Sequence, residues 1–139
     1  MKKQLIVSVS LILVLMLCLV SCNTVDAEGL WENATHRRDV TFGDGATTVQ
    51  LEVKVEDQSV TFTIKTDKEI LGDALLEHGL ISGEEGPYGL YVKEVNGMTA
   101  DYDTDGLYWA FYQGGAYMLT GVDSTPISGG EAFEIRLEK

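Results

Sequence analysis

Three aspartates at alternate positions are the first candidates for ion-binding chemistry: Asp101, Asp103 and Asp105, followed by Gly106. In the first half of a helix–loop–helix calcium site, alternate carboxylates converge on the cation and a glycine permits the sharp turn. The twelfth position of such a loop holds a bidentate glutamate, but Tyr112 stands there in this sequence. We therefore assign no metal site and expect a solvated acidic turn between two strands, with weak calcium binding as the open alternative.

Five aromatic side chains lie close together around the short sequence Gln113, Gly114 and Gly115; they are Tyr108, Trp109, Phe111, Tyr112 and Tyr117. The glycine pair indicates a hairpin turn. Strand alternation places Trp109 and Phe111 on one face and Tyr108 and Tyr112 on the other. Because only one face can pack in the core, the hairpin is either a plain strand pair or a binding platform that presents rings to a ligand.

Motifs of the common enzyme classes are missing. The sequence has no GxSxG, HExxH, phosphate-binding loop or CxxC, and its two histidines, His36 and His78, are far apart. We therefore expect a protein that is not an enzyme and requires no cofactor, and hydrolysis by the aspartate cluster is the weakest hypothesis. The formal charge of −12 disfavours nucleic acid as a partner, because an acidic surface repels phosphate backbones.

The elements that position these residues follow from the hydrophobic pattern. Val49 to Val55 alternates apolar and polar side chains, and so does Val60 to Ile64, which predicts a hairpin. Thr66 with Glu69 forms a capping-box pattern, Leu71 to His78 carries one apolar stripe, and Gly79 is a typical helix end. After a glycine-rich loop at residues 84–87, further strands are predicted at 89–95, 107–112, 116–119 and 132–137. The order predicts an α+β fold with one helix packed on a mixed sheet.

The N-terminus has the pattern of an export signal: Lys2 and Lys3 precede an apolar run from Leu5 to Val20 that is short for a membrane span. The run ends at Leu19, Val20, Ser21 and Cys22, which resembles the lipobox of bacterial lipoproteins. The resemblance implies a signal peptide over 1–21, lipidation of Cys22, and a membrane anchor on the extracytoplasmic face. Residues 22–47 are then a lipidated N-terminus and spacer, with an edge strand near residues 40–42, and residues 48–139 form one domain.

Removal of the signal would leave eight of the ten basic side chains against twenty-two acidic ones, a formal charge of −14. Two or three acyl chains hold a protein to a membrane stably, whereas one chain does so only reversibly. We therefore expect the lipid at Cys22, and not a basic surface, to make the membrane contact.

The C-terminal part resembles the C-terminal domain of transcobalamin and intrinsic factor. The resemblance is carried by Tyr108, Trp109, Phe111 and Gly114 in a YWxF hairpin, by the later pairs Gly121–Val122 and Gly130–Glu131, and by the upstream segment 89–92. It covers roughly residues 48–139, implies a β-grasp-like fold, and implies that cobalamin or another corrinoid is the ligand. The ligand-binding positions that it implies are Val92, Trp109, Phe111 and Met118, and a cobalt-ligating histidine could only be His36.

Two functional hypotheses follow. In the first, a surface lipoprotein captures a corrinoid through a non-catalytic module and passes it to a transporter. In the second, an adhesion or assembly module binds another surface protein or a wall polymer through its aromatic hairpin. The vitamin carriers close the corrin against a large helical domain that this sequence lacks. Tight binding therefore needs a partner protein or a second copy.

Overall fold

The structure is a computed structural model that describes residues 27–139. The signal segment and Cys22 lie outside the described residues. No helix within residues 27–139 has the length and apolar character needed to span a bilayer.

The strands, in chain order, are β1 (Val40–Phe42), β2 (Thr47–Val55), β3 (Gln58–Thr66), β4 (Ile81–Gly86), β5 (Gly89–Val95), β6 (Met98–Thr99), β7 (Tyr108–Gln113), β8 (Ala116–Tyr117) and β9 (Ala132–Glu138). The helices are α1 (Ala27–Trp31), α2 (Leu71–Glu77) and α3 (Tyr102–Asp105), with a 3-10 turn at Val122–Ser124. The α+β class is confirmed, and the hairpin–helix–strands order is that of the expected β-grasp-like fold.

A six-stranded mixed sheet, in the order β1-β3-β2-β9-β7-β8, is the centre of the fold. β2 is antiparallel to β3 but parallel to β9, and β9 is antiparallel to β7. The alternating residues of β2 and β3 are buried on one side, as the pattern predicted. Helix α2 buries Leu71, Ala74 and Leu75 in the same apolar cluster.

The smaller sheet, β4-β5-β6, corrects the prediction of a loop at residues 84–87. Glu84 to Gly86 belongs to β4 and pairs with β5, and Glu84 forms an ion pair with Lys93 at 3.2 Å. Gly83 lies just before the predicted loop, and a Cβ there would stand 1.9 Å from the carbonyl oxygen of Tyr91. Glycine here permits close strand pairing at a bulge and does not mark a loop.

The capping-box prediction at Thr66 is wrong. Thr66 ends β3, where it pairs with Thr47, and its hydroxyl donates to Glu77 at 3.0 Å. The helix begins later, at Leu71, whose N–H donates to the carbonyl of Thr125 at 2.8 Å. Thr66 therefore belongs to the β2–β3 strand pair, and the backbone carbonyl of Thr125, not a side-chain cap, accepts the hydrogen bond from the first N–H of the helix. The predicted helix end is correct, because Gly79 adopts φ +65° immediately after His78, the C-cap residue of α2.

The prediction of a spacer up to residue 47 is wrong from residue 27 onward. Leu30 and Trp31 of α1 are buried in the core cluster, and β1 forms the expected edge strand, parallel to β3. Asn96 holds this segment in place: its side-chain oxygen accepts from the His36 N–H at 2.9 Å, and its amide donates to the His36 carbonyl at 2.8 Å. The segment contains too few apolar residues to show a period, so tertiary contacts determine its structure.

The buried residues of this segment provide a test of its role in the fold. Leu30 is 3% exposed, so Leu30→Ala should lower the free energy of unfolding by about 2–4 kcal/mol through lost burial and a residual cavity. Urea unfolding measures the change, with the exposed neighbour Glu32→Ala as the matched control. Equal stability of the two variants would show that the segment is a spacer after all.

Candidate functional site

A cleft of about 270 Å³ opens between β5, the β7–β8 hairpin and the 3-10 turn. Twelve residues line it, and none of them carries a charge. Larger hollows exist elsewhere; the one of about 320 Å³ on the other sheet face is lined by polar groups such as Gln50, Glu52 and Glu134. A further hollow of about 570 Å³ at the tip of the β7–β8 hairpin is also lined by uncharged residues, and it shares residues 117–120 with this cleft. The cleft differs from it by the buried side chains of Val92 and Trp109, and we refer to it below as the cleft.

All four residues implied by the sequence resemblance line this cleft: Val92, Trp109, Phe111 and Met118. Val92 and Trp109 are each 6% exposed and form its floor. The Trp109 indole N–H donates to the carbonyl of Lys93 at 3.2 Å, which connects β7 to β5. Both side chains therefore hold the fold together as well as line the cleft.

Phe111 and Met118 are partly buried and lie above this floor. The Met118 N–H donates to the Phe111 carbonyl at 2.9 Å, which holds the two residues side by side across the hairpin. The ladder of β7 with β9 runs without a register shift from Tyr108 to Gln113. Trp109 therefore faces the same side as Phe111 by simple alternation, without a bulge.

The rim of the cleft contains large side chains that sequence reasoning did not assign to the site. Tyr88 is 98% exposed at the tip of the β4–β5 hairpin, and Leu119 is 95% exposed after β8. Tyr91 is partly exposed beside them. Tyr117 also lines the cleft, but its ring packs against that of Tyr112, with the ring centroids 5.5 Å apart. The sequence signal for Tyr88 is an aromatic residue in a Gly-Pro-x-Gly turn, where polar residues are usual.

Asp123 fixes the distance between the two walls of the cleft. Its carboxylate accepts a hydrogen bond from the Leu90 N–H at 3.0 Å, which joins the 3-10 turn to β5. Gly89 makes this approach possible: it has φ +100°, and a Cβ there would be 2.3 Å from the Asp123 carboxylate. The Asp123 carboxylate, which is outside the cleft lining, therefore holds the 3-10 turn against β5, as the Trp109 indole holds β7 against β5.

The opposite face of β7 carries the tyrosines that alternation placed there. Tyr108 and Tyr112 both donate to the carboxylate of Glu138, Tyr108 at 3.2 Å. The Arg136 guanidinium lies 4.0 Å from the centroid of the Tyr112 ring and forms an ion pair with Glu134. The hydrogen bond to Glu138, followed by partial desolvation, raises the pKa of both tyrosines above 10.0. These rings therefore belong to a polar network on the other side of the sheet from the cleft.

The aspartate motif folds into a single helical turn, α3, and not into a cation loop. Asp101 caps this turn by accepting from the Asp103 N–H at 3.1 Å, and Gly106 ends it with φ +67°. Across residues 27–139, the structure assembles no group of three His, Cys, Asp or Glu side chains that could hold a metal ion.

The histidines lie together, away from the cleft lining. His36 packs edge-on against Phe42 and Phe62, with ring centroids 5.3 and 5.8 Å apart. Its backbone is held by hydrogen bonds to Asn96, and it does not line the cleft. Cobalt ligation by His36 stays an expectation of the sequence resemblance. His78 stacks on the other side of Phe42 at 5.4 Å, as expected for a partly buried side chain at the helix end.

No family model and no curated protein matches the chain. Among solved structures, it is similar to a "putative metal binding protein" from Ruminococcus gnavus ATCC 29149, with 36% sequence identity and a TM-score of 0.63. The match covers 67% of this chain and 97% of that one. The chain belongs to the family of this Ruminococcus protein. Because nearly all of that crystallised chain is matched, a domain of this family folds by itself.

A second similar structure is haptocorrin in complex with Cbi, with 21% identity and a TM-score of 0.55. The match covers 70% of this chain but 26% of haptocorrin, so the family domain corresponds to about a quarter of that protein. At this identity the likeness shows the fold alone. The fold is consistent with the transcobalamin-like domain that the YWxF hairpin implied.

The tyrosine network gives a pH-dependent prediction. In Glu138→Gln the charged acceptor is lost, so the pKa of Tyr108 and Tyr112 should fall towards the ordinary value of 10.0. In the parent, the hydrogen bonds to Glu138 need both tyrosines in their protonated form. Because the folded-state pKa is raised, the stability that these bonds contribute is complete below the unfolded-state pKa and is lost as pH rises through the folded-state pKa.

Alkaline absorbance titration of tyrosine ionisation, parent against Glu138→Gln, measures the shift. Superimposable curves for the two proteins would contradict the assignment of Glu138 as the shared acceptor.

Proposed function

We propose that the chain is a non-catalytic surface module that captures a corrinoid, such as cobalamin, in the cleft. The observation that carries the proposal is the uncharged lining: a chain with a formal charge of −12 surrounds the cleft with twelve residues that bear no charge. Desolvating a charged ligand there without a charged partner is costly. The cleft therefore favours a ligand that is neutral and largely apolar where it touches the protein.

The shape of the cleft is suited to one face or one edge of a flat ligand. Val92 and Trp109 supply a rigid floor, while Phe111 and Met118 supply apolar atoms that can be covered. The thioether of Met118 is flexible and polarisable, so it adapts to an irregular rim of methyl and methylene groups. Backbone groups of the hairpin can bond to carboxamides on a corrin's side chains. The fold shared with haptocorrin, whose structure contains Cbi, supports this choice of ligand class.

Binding in this account uses apolar contact and backbone groups and requires no cobalt ligand from the protein. Neither histidine lines the cleft, and the imidazole of His36 packs against two phenylalanine rings. Cobinamide and cobalamin should therefore bind through the same cleft residues.

A double variant tests the site. Replacing Phe111 and Met118 by Ala should weaken corrinoid binding by on the order of 2–4 kcal/mol, if the ligand buries both side chains. Because both residues also touch the core, the same variant should lose some stability, on the order of 1–3 kcal/mol. Calorimetric titration with cobinamide, well below the melting temperature, separates the two effects.

The matched control is Tyr102→Ala, which removes a ring that is 58% exposed outside the cleft. This control should bind as the parent does. Unchanged affinity of a folded Phe111→Ala/Met118→Ala protein would move the ligand away from the cleft.

We also propose that the module is held to the extracytoplasmic face of the membrane by lipid at Cys22, where it passes its ligand to a transporter. The support is the order Leu19, Val20, Ser21 and Cys22 after a short apolar run. Lipidation converts a soluble module into a stably anchored one when two or more chains are attached.

The anchor is tested by Cys22→Ala. The variant should incorporate no labelled palmitate and should remain uncleaved or leave the membrane fraction, because the thiol that receives lipid is gone. Labelled palmitate on the variant protein would refute the anchor.

A second candidate function is adhesion or assembly, in which the rim contacts another surface protein or a wall polymer. The observation that favours it is the exposure of Tyr88 and Leu119, at 98% and 95%, because large apolar side chains at loop tips are typical of interaction surfaces. The absence of any corrinoid binding by the folded parent would favour this candidate.

A further inference from the structure

We infer that the ligand is enclosed by two copies of this chain, each covering one of its faces, and that the dimer forms only when ligand is present. This inference rests on the proposed function, because it concerns the uncovered side of the same cleft. A ligand that touches the cleft with one face does not explain why the rim exposes large apolar side chains, and contact with a second copy would explain it.

The cleft alone is too small to enclose its ligand. At about 270 Å³ it falls below the 300–1,000 Å³ that is usual for pockets that bury most of a drug-sized ligand, and a corrinoid is larger than a drug. One face of the ligand would therefore remain in solvent. Tyr88 and Leu119 stand at the two edges of the opening, where they can reach beyond the ligand to a surface on its far side.

Electrostatic repulsion disfavours docking of a second copy at most surfaces of the chain and disfavours it least at this rim. Two chains of charge −12 repel each other, and most surfaces would bring carboxylates together. The residues of the rim carry no charge, although Glu84 and Glu85 lie close by on β4. Lys93, which pairs with Glu84, has its ammonium 5.8 Å from the centroid of the Tyr91 ring. Contact between two rims is thus the approach that leaves these carboxylates in water, and a two-fold axis makes the same patch complementary to itself.

The small apolar area of the rim explains why the dimer would form only with ligand. A whole aromatic side chain buries roughly 150–250 Å², so the exposed parts of Tyr88, Tyr91 and Leu119 amount to on the order of 400 Å² per copy. A stable interface needs about 800 Å² per partner. The rim alone falls short of that area, and a flat ligand between the two clefts supplies the remainder.

The experiment uses residues 23–139, because residues 27–139 enclose the core cluster and a chain that matches this family domain over 97% of its length folds by itself. Light scattering after gel filtration gives the mass with and without cobinamide, and calorimetry gives the stoichiometry. We expect the mass of one chain without ligand, twice that mass with ligand, and half a ligand bound per chain.

The rim variant Tyr88→Asp/Leu119→Asp places like charges opposite each other in the proposed dimer. It should remain monomeric with ligand, bind one ligand per chain, and bind at least tenfold more weakly. The matched control is Leu76→Asp, a leucine that is 46% exposed on α2 and outside the cleft; it should dimerise with ligand as the parent does.

The other outcomes separate this inference from the proposed function. One ligand per chain at constant mass in the parent would overturn the dimer and leave the corrinoid site standing. A dimer without ligand would overturn the ligand requirement. No binding of cobinamide or cobalamin by the folded parent would overturn the proposed function, and the dimer with it.

Discussion

The position of β9 between β2 and β7 is the constraint on which the rest of the structure depends. Its parallel pairing with β2 and antiparallel pairing with β7 join the N-terminal hairpin to the aromatic hairpin in one sheet. Because Trp109 pairs with Leu137 and Phe111 with Ile135, β7 is held in the register that turns these rings towards β5. A slip by one residue would turn Tyr108 and Tyr112 into the cleft instead. The same strand supplies Glu138, which bonds both tyrosines on the opposite face.

This register divides the chemistry of the molecule between the two faces of one strand. Hydrogen bonds and charges lie on the outer face, where Arg136, Glu134 and Glu138 surround the tyrosines. The inner face has the uncharged cleft, with walls that Asp123 holds through the Leu90 N–H. An acidic protein with a neutral recess can bind an uncharged ligand and keep its charges in water, because these charges lie away from the desolvated contact.

The parts of the structure with a strong local pattern could be predicted from the sequence. Val49 to Val55 alternates strictly, so β2 and its buried face were predicted correctly, and alternation likewise placed Trp109 and Phe111 together. The cleft depended on the family resemblance, because no periodicity relates Val92 to Met118. The N-terminal segment was mispredicted because Leu30 and Trp31 show no period and are ordered by tertiary packing. The loop predicted at residues 84–87 was wrong because most of this segment pairs with β5, and Gly83 just before it permits the close backbone approach of β4 to β5.

Methyl NMR of the methionines in residues 23–139 tests the central claim most directly, since this part of the chain contains two natural methionines, Met98 and Met118. Met118 lines the cleft, whereas Met98 is fully buried in β6 and does not line it. On titration with cobinamide, the account predicts a saturable shift of the Met118 methyl resonance with that of Met98 nearly unchanged. Saturable binding that leaves the Met118 resonance in place would contradict the account, because the ligand would then lie outside the cleft.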